Sequence, residues 1–285
     1  MRTPSVPFKP KVGVLIQLSP EIAQSLAMLS ELGFTSGQLA CENMSLYNND
    51  FLNTVKRAQA KNNFDFTAFY CGWAGYYTYT YPDMYTTLGL VPDYLRDRRI
   101  NNIISGMDFA ADLGIGTVLS HIGYLPDNPL DATHIQVLNS MRTLIPVLQK
   151  NKQVFIFETG EMLPITLKML ILALGEDQFG VNLDPGNFLM NGRANPVDAL
   201  TMLASYIKGV HAKDATYPKG TSPKGRETPL GKGESDFEGI IRGLKAAGYQ
   251  GEITIENEMY TPQRRQQLID GKAYLEALID KVNNS

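Results

Sequence analysis

The sequence predicts an α/β fold, a (β/α)8 TIM barrel built as a single domain over residues 1–285. Short apolar or β-branched runs alternate with longer amphipathic runs from end to end, the pattern of a parallel sheet with crossover helices. The chain carries eight runs of each kind, at about 36 residues per unit. No GxGxxG follows the first strand and no Ser/Gly-rich linker interrupts the chain. These absences disfavour an open dinucleotide-binding sheet and a second domain.

Each element has its own local signal. The apolar runs predict strands at Lys11–Leu18, Gly37–Cys41, Phe64–Cys71, Thr117–His121, Val154–Glu158, Phe179–Asp184, Ile207–Asp214 and Gly251–Glu258. The amphipathic runs predict helices at Pro20–Leu32, Asp50–Lys61, Leu95–Leu113, Asp131–Lys150, Leu163–Leu174, Pro196–Tyr206, Asp236–Ala247 and Pro262–Val282. A capping side chain before a proline predicts helix starts at Ser19–Pro20, Asn195–Pro196 and Thr261–Pro262. A glycine predicts helix ends at Gly33, Gly114, Gly175 and Gly248.

Composition narrows the class of protein and of partner. Hydrophobic residues make up 44% of the chain and charged residues 19%, a globular mixture. The formal charge is −3 and no long basic run is present, so we expect a small-molecule partner and neither nucleic acid nor a membrane. Cys41 and Cys71 are too few for a disulfide framework, and no apolar run approaches the ~20 residues of a membrane span. We therefore expect a soluble, cytoplasmic protein with reduced thiols.

A polar residue ends each of four successive predicted strands: Glu158, Asp184, His211 and Glu256. Because the carboxyl ends of barrel strands form one rim, these side chains are expected to meet there. Three carboxylates and one imidazole suit an open octahedral site better than a structural zinc site. The sequence thus predicts one divalent cation, Mn²⁺ first, with Co²⁺ or Mg²⁺ as alternatives. The competing interpretation is four isolated rim residues, each paired with Lys or Arg.

Further candidates surround these strand ends. His121 ends the fourth predicted strand and is a candidate general base beside the cation, with a hydrogen-bonded rim histidine as the alternative. By the two-residue period of a strand, Lys213 shares a face with His211 and would bind a substrate oxygen. Glu258 shares a face with Glu256 in the same way and would orient a ligand.

Three other polar residues are expected to have ordinary structural roles. Glu161 and Asp214 are predicted to form rim salt bridges. His134 lies in a predicted helix and is expected to be solvated.

Two long loops add substrate-binding candidates. The loop after the third strand carries Trp73, Tyr76, Tyr77, Tyr79, Tyr81, Tyr85 and Tyr94. Aromatic faces pack on a sugar ring or an aromatic aglycone, and a subunit interface or a small satellite core is the alternative. The loop Ala215–Ser235 carries Lys219, Lys224 and Arg226, which would hold a substrate carboxylate or phosphate unless the loop is simply a solvated basic one.

Short motifs occur in a fixed order along the chain, within a resemblance that covers essentially its whole length: Phe157–Glu158, Asn182–Pro185, Val210–Asp214, Leu230–Gly233 with Asp236–Phe237, and Ile255–Glu256. With these motifs the chain resembles the xylose isomerase-like TIM-barrel superfamily of sugar isomerases and epimerases, which includes tagatose and psicose 3-epimerases. The resemblance implies that Glu158, Asp184, His211 and Glu256 bind Mn²⁺ or a similar ion. It also implies that both glutamates handle protons.

One departure and four further segments point to a narrower branch. Ketose 3-epimerases usually carry a histidine three residues after the strand-six aspartate, where this chain has Asn187. The segments Cys71–Trp73, Gly89–Pro92, His121–Pro126 and Asn195–Leu200 resemble a branch that acts on oxidised glycosides. That branch includes keto-glycoside epimerases and the large subunit of C-glycoside deglycosidases. We predict substrate contacts from Lys213, Asn187, Trp73 and Arg226.

These observations predict a divalent-metal-dependent sugar or keto-sugar isomerase or epimerase, in which Glu158, Glu256 and His121 are catalytic. A cation beside a carbonyl and its neighbouring hydroxyl stabilises the enediolate left when the carbon between them loses its proton. The alternative is a lyase that cleaves 3-keto C- or O-glycosides by β-elimination, with His121 serving that step. A non-catalytic sugar-binding barrel is a third reading, and an endonuclease IV-type barrel needs more histidines than the three present. We expect a homo-oligomer, or a hetero-oligomer with a small second subunit.

Overall fold

The computed structural model describes residues 7–285 and confirms the predicted barrel. Eight parallel strands close in the order β1-β10-β7-β6-β5-β4-β3-β2. They are β1 (Val12–Gln17), β2 (Ser36–Cys41), β3 (Asp65–Cys71), β4 (Thr117–Ser120), β5 (Val154–Glu158), β6 (Phe179–Leu183), β7 (Ile207–Ala212) and β10 (Ile253–Ile255). A separate antiparallel pair, β8 (Asp214–Thr216) and β9 (Arg226–Thr228), lies in the loop after β7.

Helices connect the strands. They are α1 (Ile22–Glu31), α2 (Asn49–Asn62), α3 (Met84–Thr87), α4 (Asp93–Asp112), α5 (Ala132–Arg142), α6 (Ile145–Asn151), α7 (Pro164–Leu174), α8 (Pro185–Met190), α9 (Pro196–Leu203), α10 (Phe237–Ala246) and α11 (Arg264–Asn283). The short helices α3 and α8 occupy loops in which no helix is predicted. Within residues 7–285, no helix is both long and apolar enough to cross a membrane.

The predicted helix starts are confirmed at one proline of three. Asn195 Oδ1 accepts the N–H groups of Val197 and Asp198, and α9 begins at Pro196. The other two starts are wrong, because α1 begins at Ile22 and α11 at Arg264, and neither receives a side-chain cap from the described part of the chain. The four predicted helix-ending glycines all have positive φ: Gly33, Gly114, Gly175 and Gly248.

Three predicted elements are wrong in extent. The strand predicted over residues 251–258 is only β10, so Glu256 and Glu258 lie just beyond its end. The helix predicted over residues 131–150 is two helices, α5 and α6, because Pro146 has no N–H to continue the hydrogen-bond ladder of α5. The strand predicted over residues 207–214 ends at Ala212, and Asp214 opens the β8–β9 pair instead. The side chain of Asp214 explains this change of direction, as described below.

The alternation of side chains along β5 shows which of its residues face the barrel interior. Phe155 and Phe157 of β5 face the helical layer, where Phe157 stacks on Phe179 at 5.8 Å between ring centroids. Ile156 joins a small apolar cluster contributed by strands alone: Leu15, Ala40, Ala68, Tyr70 and Leu119. Since alternate residues of a strand share a side, Glu158 faces the barrel interior with Ile156, one layer nearer the carboxyl end.

Candidate metal centre

The four predicted strand-end residues meet in one cluster. Glu158, Asp184, His211 and Glu256 come from the carboxyl ends of the neighbouring strands β5, β6, β7 and β10, and each offers one ligand atom within 4.8 Å of the others. His211 Nδ1 lies 3.2 Å from Glu158 Oε1, 2.9 Å from Glu256 Oε2 and 3.8 Å from Asp184 Oδ2. The alternative of four isolated ion pairs is therefore wrong.

The atoms that face one another suit a divalent cation. His211 Nδ1, Asp184 Oδ2 and Glu256 Oε2 are buried and form no hydrogen bond of acceptable geometry with any residue among 7–285. Burial raises the pKa of the Asp184 carboxyl well above its ordinary value, and the neighbouring glutamates Glu158 and Glu256 add to that rise. A donor set of three carboxylates and one imidazole fits a hard octahedral ion such as Mn²⁺ or Mg²⁺.

Two of the three carboxylates, those of Asp184 and Glu158, are each held by contacts of their own. Asp184 Oδ1 accepts the N–H of Asn187 at 2.7 Å, which caps α8 and leaves Oδ2 facing His211. The Asp184 N–H donates to the hydroxyl of Thr159 at 2.7 Å. Glu158 Oε2 accepts from the side-chain amide of Asn182 at 2.6 Å, and Asn187 Nδ2 lies 3.4 Å from Glu158 Oε1. The ligand oxygens are thus oriented by the chain itself.

A polar cavity of about 310 Å³ adjoins the cluster. It is lined by Tyr79, His121, Glu161, Asn187, Met190, Asn191, Lys213, Lys224, Glu227 and Glu258. Lys213 bridges the cavity and the cluster, because its ammonium lies 3.3 Å from Glu256 Oε2 and 2.6 Å from Glu258 Oε2. Burial raises the pKa of Glu227, in this wall, to about 7. The cavity is large enough for a sugar ring with polar partners on several sides.

His121, which is partly buried, and Glu161, which is buried, form a pair in the wall of this cavity. His121 Nδ1 lies 2.7 Å from Glu161 Oε1, so the salt bridge expected of Glu161 is present, with its carboxylate buried. Burial alone would lower the pKa of His121. The nearby Glu161 carboxylate outweighs this effect, and the pKa rises to about 9. His121 therefore carries its proton at neutral pH. It is placed to donate a proton, whereas the sequence suggests a general base.

Glu161→Gln is expected to remove a pH-dependent part of the stability. The pKa of His121 rises from 6.5 to about 9 on folding, so the linked stabilisation is complete below pH 6.5 and is lost as pH rises through about 9. In chelator-treated protein, wild type should exceed the variant by roughly 1–3 kcal/mol in unfolding free energy at pH 6, with the gap shrinking by pH 10. Urea unfolding across this range measures the gap. The exposed Glu176→Gln serves as control, and a gap that does not change with pH contradicts the pairing.

Two predicted substrate contacts do not line the cavity. Trp73 is buried, and its Nε1 donates to Ser120 Oγ and the carbonyl oxygen of His121, each at 3.1 Å. Arg226 is exposed on β9, and its strand neighbour Glu227 faces the cavity instead. Neighbouring residues of a strand face opposite sides, which explains why Glu227 and not Arg226 faces the cavity. The sequence of this loop has no strand-like pattern from which the strand could be predicted.

His134 is not solvated as expected. It is buried, and its Nδ1 lies 2.8 Å from the carbonyl oxygen of Pro126.

The aromatic loop divides between buried and exposed positions. Tyr79 lines the cavity, and the ammonium of Lys224 lies 5.3 Å from its ring centroid. Tyr76, Tyr81 and Tyr94 are mostly exposed. The loop therefore supplies one aromatic wall to the site and leaves other rings on the surface.

The carboxylate of Asp214 organises the second long loop. It accepts backbone N–H groups at 2.9–3.1 Å from four residues: Ala215, Gly231, Gly233 and Ser235. Asp214 therefore binds backbone donors, and the predicted salt bridge is wrong. A Cβ at position 233 would collide with this carboxylate, which explains the second glycine of the Leu230–Gly233 motif. The same contacts fix the base of the hairpin that carries Lys224 and Glu227.

Fold and site together define a TIM barrel with a candidate divalent-cation centre at the carboxyl ends of its strands. The chain belongs to the xylose isomerase-like TIM barrel family, whose sequence profile matches residues 26–278. No curated protein sequence matches it.

Solved structures with the same fold include several relatives. A xylose isomerase domain protein from Planctomyces limnophilus is 25% identical, with a TM-score of 0.90 over 98% of this chain and 100% of that one. A 3-keto-D-glucoside 4-epimerase from E. coli is 17% identical, with a TM-score of 0.69 over 94% and 100%. A xylose isomerase-like TIM barrel protein from Mycobacterium smegmatis in complex with magnesium is 14% identical, with a TM-score of 0.73 over 96% and 98%.

Proposed function

We propose that this chain is a divalent-cation-dependent isomerase or epimerase of sugars or keto-sugars. The observation that carries the proposal is the pair Glu158 and Glu256, whose carboxylates both approach His211 Nδ1 beside the polar cavity. Two carboxylates at one centre supply a base and an acid for the same carbon. The similarity to a structure named as a 3-keto-D-glucoside 4-epimerase supports this class of reaction. Mn²⁺ is the proposed ion, with Co²⁺ or Mg²⁺ as alternatives.

The residues divide the chemistry between them. A divalent cation held by the four side chains would supply the positive charge that stabilises an enediolate. One glutamate removes the proton next to the substrate carbonyl, and the C–H electron pair becomes the new C=C bond while the carbonyl oxygen gains the charge. The second glutamate returns a proton to the opposite face, which gives epimerisation, or to the neighbouring carbon, which gives isomerisation. Lys213 donates a hydrogen bond to a substrate oxygen, and Asn187 holds the position that a histidine takes in ketose 3-epimerases.

One observation favours a second candidate, the β-elimination of 3-keto glycosides. The pair His121–Glu161 lines the cavity outside the cluster. The pKa of His121, about 9, keeps its imidazole protonated at neutral pH. A glutamate would remove the proton next to the ketone, and the electron pair would expel the substituent two carbons away. His121 would then protonate the departing atom. Assembly into oligomers, a small second subunit and a cytoplasmic location stay predictions.

Hydrogen exchange with solvent tests the proposal. Mn²⁺-loaded protein is incubated in D₂O with a panel of free sugars and 3-keto glucosides, and deuterium is located by NMR. We expect deuterium at a carbon adjacent to the carbonyl of one substrate, and loss of the signal after chelation. Release of an aglycone would replace the epimerase assignment by the lyase. Binding of a sugar without exchange at any carbon would contradict both and favour a non-catalytic barrel.

A further inference from the structure

A buried chain of two side-chain amides connects the two ends of the candidate metal centre. We infer that Gln38 and Asn182 form a directed hydrogen-bond relay that fixes the tautomer of His211 and the orientation of Glu158. Both amides are then positioning residues for the cation, and this inference rests on the proposed metal centre. The amides lie beneath the ligands, and nothing in the strand-end pattern indicates them.

Three hydrogen bonds make up the relay. Asn182 Nδ2 donates to Glu158 Oε2 at 2.6 Å, and Gln38 Nε2 donates to Asn182 Oδ1 at 3.3 Å. Gln38 Oε1 lies 2.9 Å from His211 Nε2. All four side chains are at most 2% exposed. The relay thus begins on one proposed ligand and ends on another without leaving the barrel interior.

The relay crosses the barrel. Gln38 lies on β2 and Asn182 on β6, four strands apart in a ring of eight, so the two amides meet from opposite walls. Gly209, on the neighbouring strand β7, leaves room for this meeting, because a Cβ there would collide with Asn182 Oδ1. Local packing is therefore arranged around the amide of Asn182.

The direction of the relay follows from its carboxylate end. A carboxylate that binds a cation carries no proton and can only accept hydrogen bonds, so the nitrogen of Asn182 faces Glu158 and its oxygen faces Gln38. Gln38 must then present its nitrogen to Asn182, which leaves its oxygen for His211. Because an amide oxygen only accepts hydrogen bonds, His211 Nε2 carries the hydrogen and donates it to Gln38 Oε1. The lone pair of Nδ1 is thereby directed at the carboxylates of the cluster, where a cation would need it.

Gln38→Met tests the relay by removing both of its amide contacts at nearly constant volume. Outer hydrogen bonds to metal ligands typically contribute 10–100-fold to metal affinity, so we expect Mn²⁺ to bind 10–100-fold more weakly, measured by calorimetry. Gln153→Met is the matched control: Gln153 is also buried, but its amide donates to the carbonyls of Met107 and Ile115 away from the site. We expect the control to lose stability and to keep the affinity. Equal affinities of wild type and Gln38→Met would overturn the relay.

A double-mutant cycle with Asn182→Leu shows whether the amides act as a unit. We expect the double variant to bind Mn²⁺ about as weakly as the weaker single variant, because either change already breaks the relay. Losses that multiply would contradict a relay. Failure of wild type to bind Mn²⁺ would instead contradict the metal centre itself.

A spectroscopic measurement covers the case in which a variant folds poorly. In the Mg²⁺-loaded wild type, the His211 Nε2–H resonance should be visible by NMR and slow to exchange with solvent. A protonated Nδ1 with a bare Nε2 would contradict the inferred direction.

Discussion

Replacing Glu256 by Gln is expected to lower the rate of solvent hydrogen exchange by at least about 10²–10⁴-fold, the usual contribution of a general acid or base. Gln keeps the shape of the side chain but neither accepts the substrate proton nor brings the negative charge that a cation requires. Glu158→Gln should have an effect of the same size for the same reason. The rate is followed by NMR in D₂O on the substrate that the panel identifies. Both variants should stay folded, since the change removes charge from a crowded cluster of buried acids.

Glu252→Gln is the matched control for these two variants. Glu252 is also a buried glutamate beside β10, but at the opposite end of the strand, where Oε1 accepts the hydroxyls of Thr67 and Thr254 at 2.9 and 2.8 Å. This change should alter the unfolding free energy and leave the exchange rate near wild type. Near-wild-type exchange in either Glu158→Gln or Glu256→Gln would remove the proton-transfer assignment.

Arg99→Leu is expected to lower the unfolding free energy by about 3–5 kcal/mol. The Arg99 side chain is fully buried, and it donates to four backbone carbonyls of the aromatic loop at 2.5–3.1 Å: those of Ala74, Tyr76, Thr87 and Gly89. Its guanidinium also lies 4.2 Å from the ring centroid of Trp73. Burial lowers the pKa of Arg99 only to about 10, so the charge persists at neutral pH. A leucine would leave all four carbonyls without this donor, those of Thr87 and Gly89 inside the protein.

Urea unfolding of three variants separates this role from a general effect of charge. Arg98 is exposed at the preceding position of α4, so Arg98→Leu should change the unfolding free energy by less than about 0.5 kcal/mol. Arg99→Lys keeps the charge but lacks the planar fork, and it should fall between the other two. An Arg99→Leu variant as stable as Arg98→Leu would show that the loop does not depend on this arginine.

The sequence predicts the barrel and the meeting of the four candidate metal ligands for one physical reason. Each candidate ligand lies at the carboxyl end of an apolar strand or directly after it, and the two-residue period of a strand indicates which side it faces. Glu158 after Phe157 is the clearest example, because the ring packs outward and the carboxylate inward. Pro146 is a local signal of the same kind for the break between α5 and α6, and the single helix predicted over residues 131–150 overlooks it.

Other features depend on contacts that no local pattern encodes. Gln38 lies in a short strand, and its role appears only when the barrel closes and brings Asn182 to it from the opposite wall. In the sequence, Arg99 looks like any charged residue on the exposed side of a helix. It is buried because the loop before the helix passes over it. Glu161 becomes the partner of His121 through two loops that the sequence leaves unplaced.

One divalent cation held by Glu158, Asp184, His211 and Glu256 is the basis of the proposed chemistry. Anomalous diffraction from crystals soaked in MnCl₂, recorded near the manganese absorption edge, would locate it. We expect a single strong peak within bonding distance of His211 Nδ1 and of one carboxylate oxygen from each acid. A map without density between these atoms, or a peak bound elsewhere while the four side chains point apart, would contradict it.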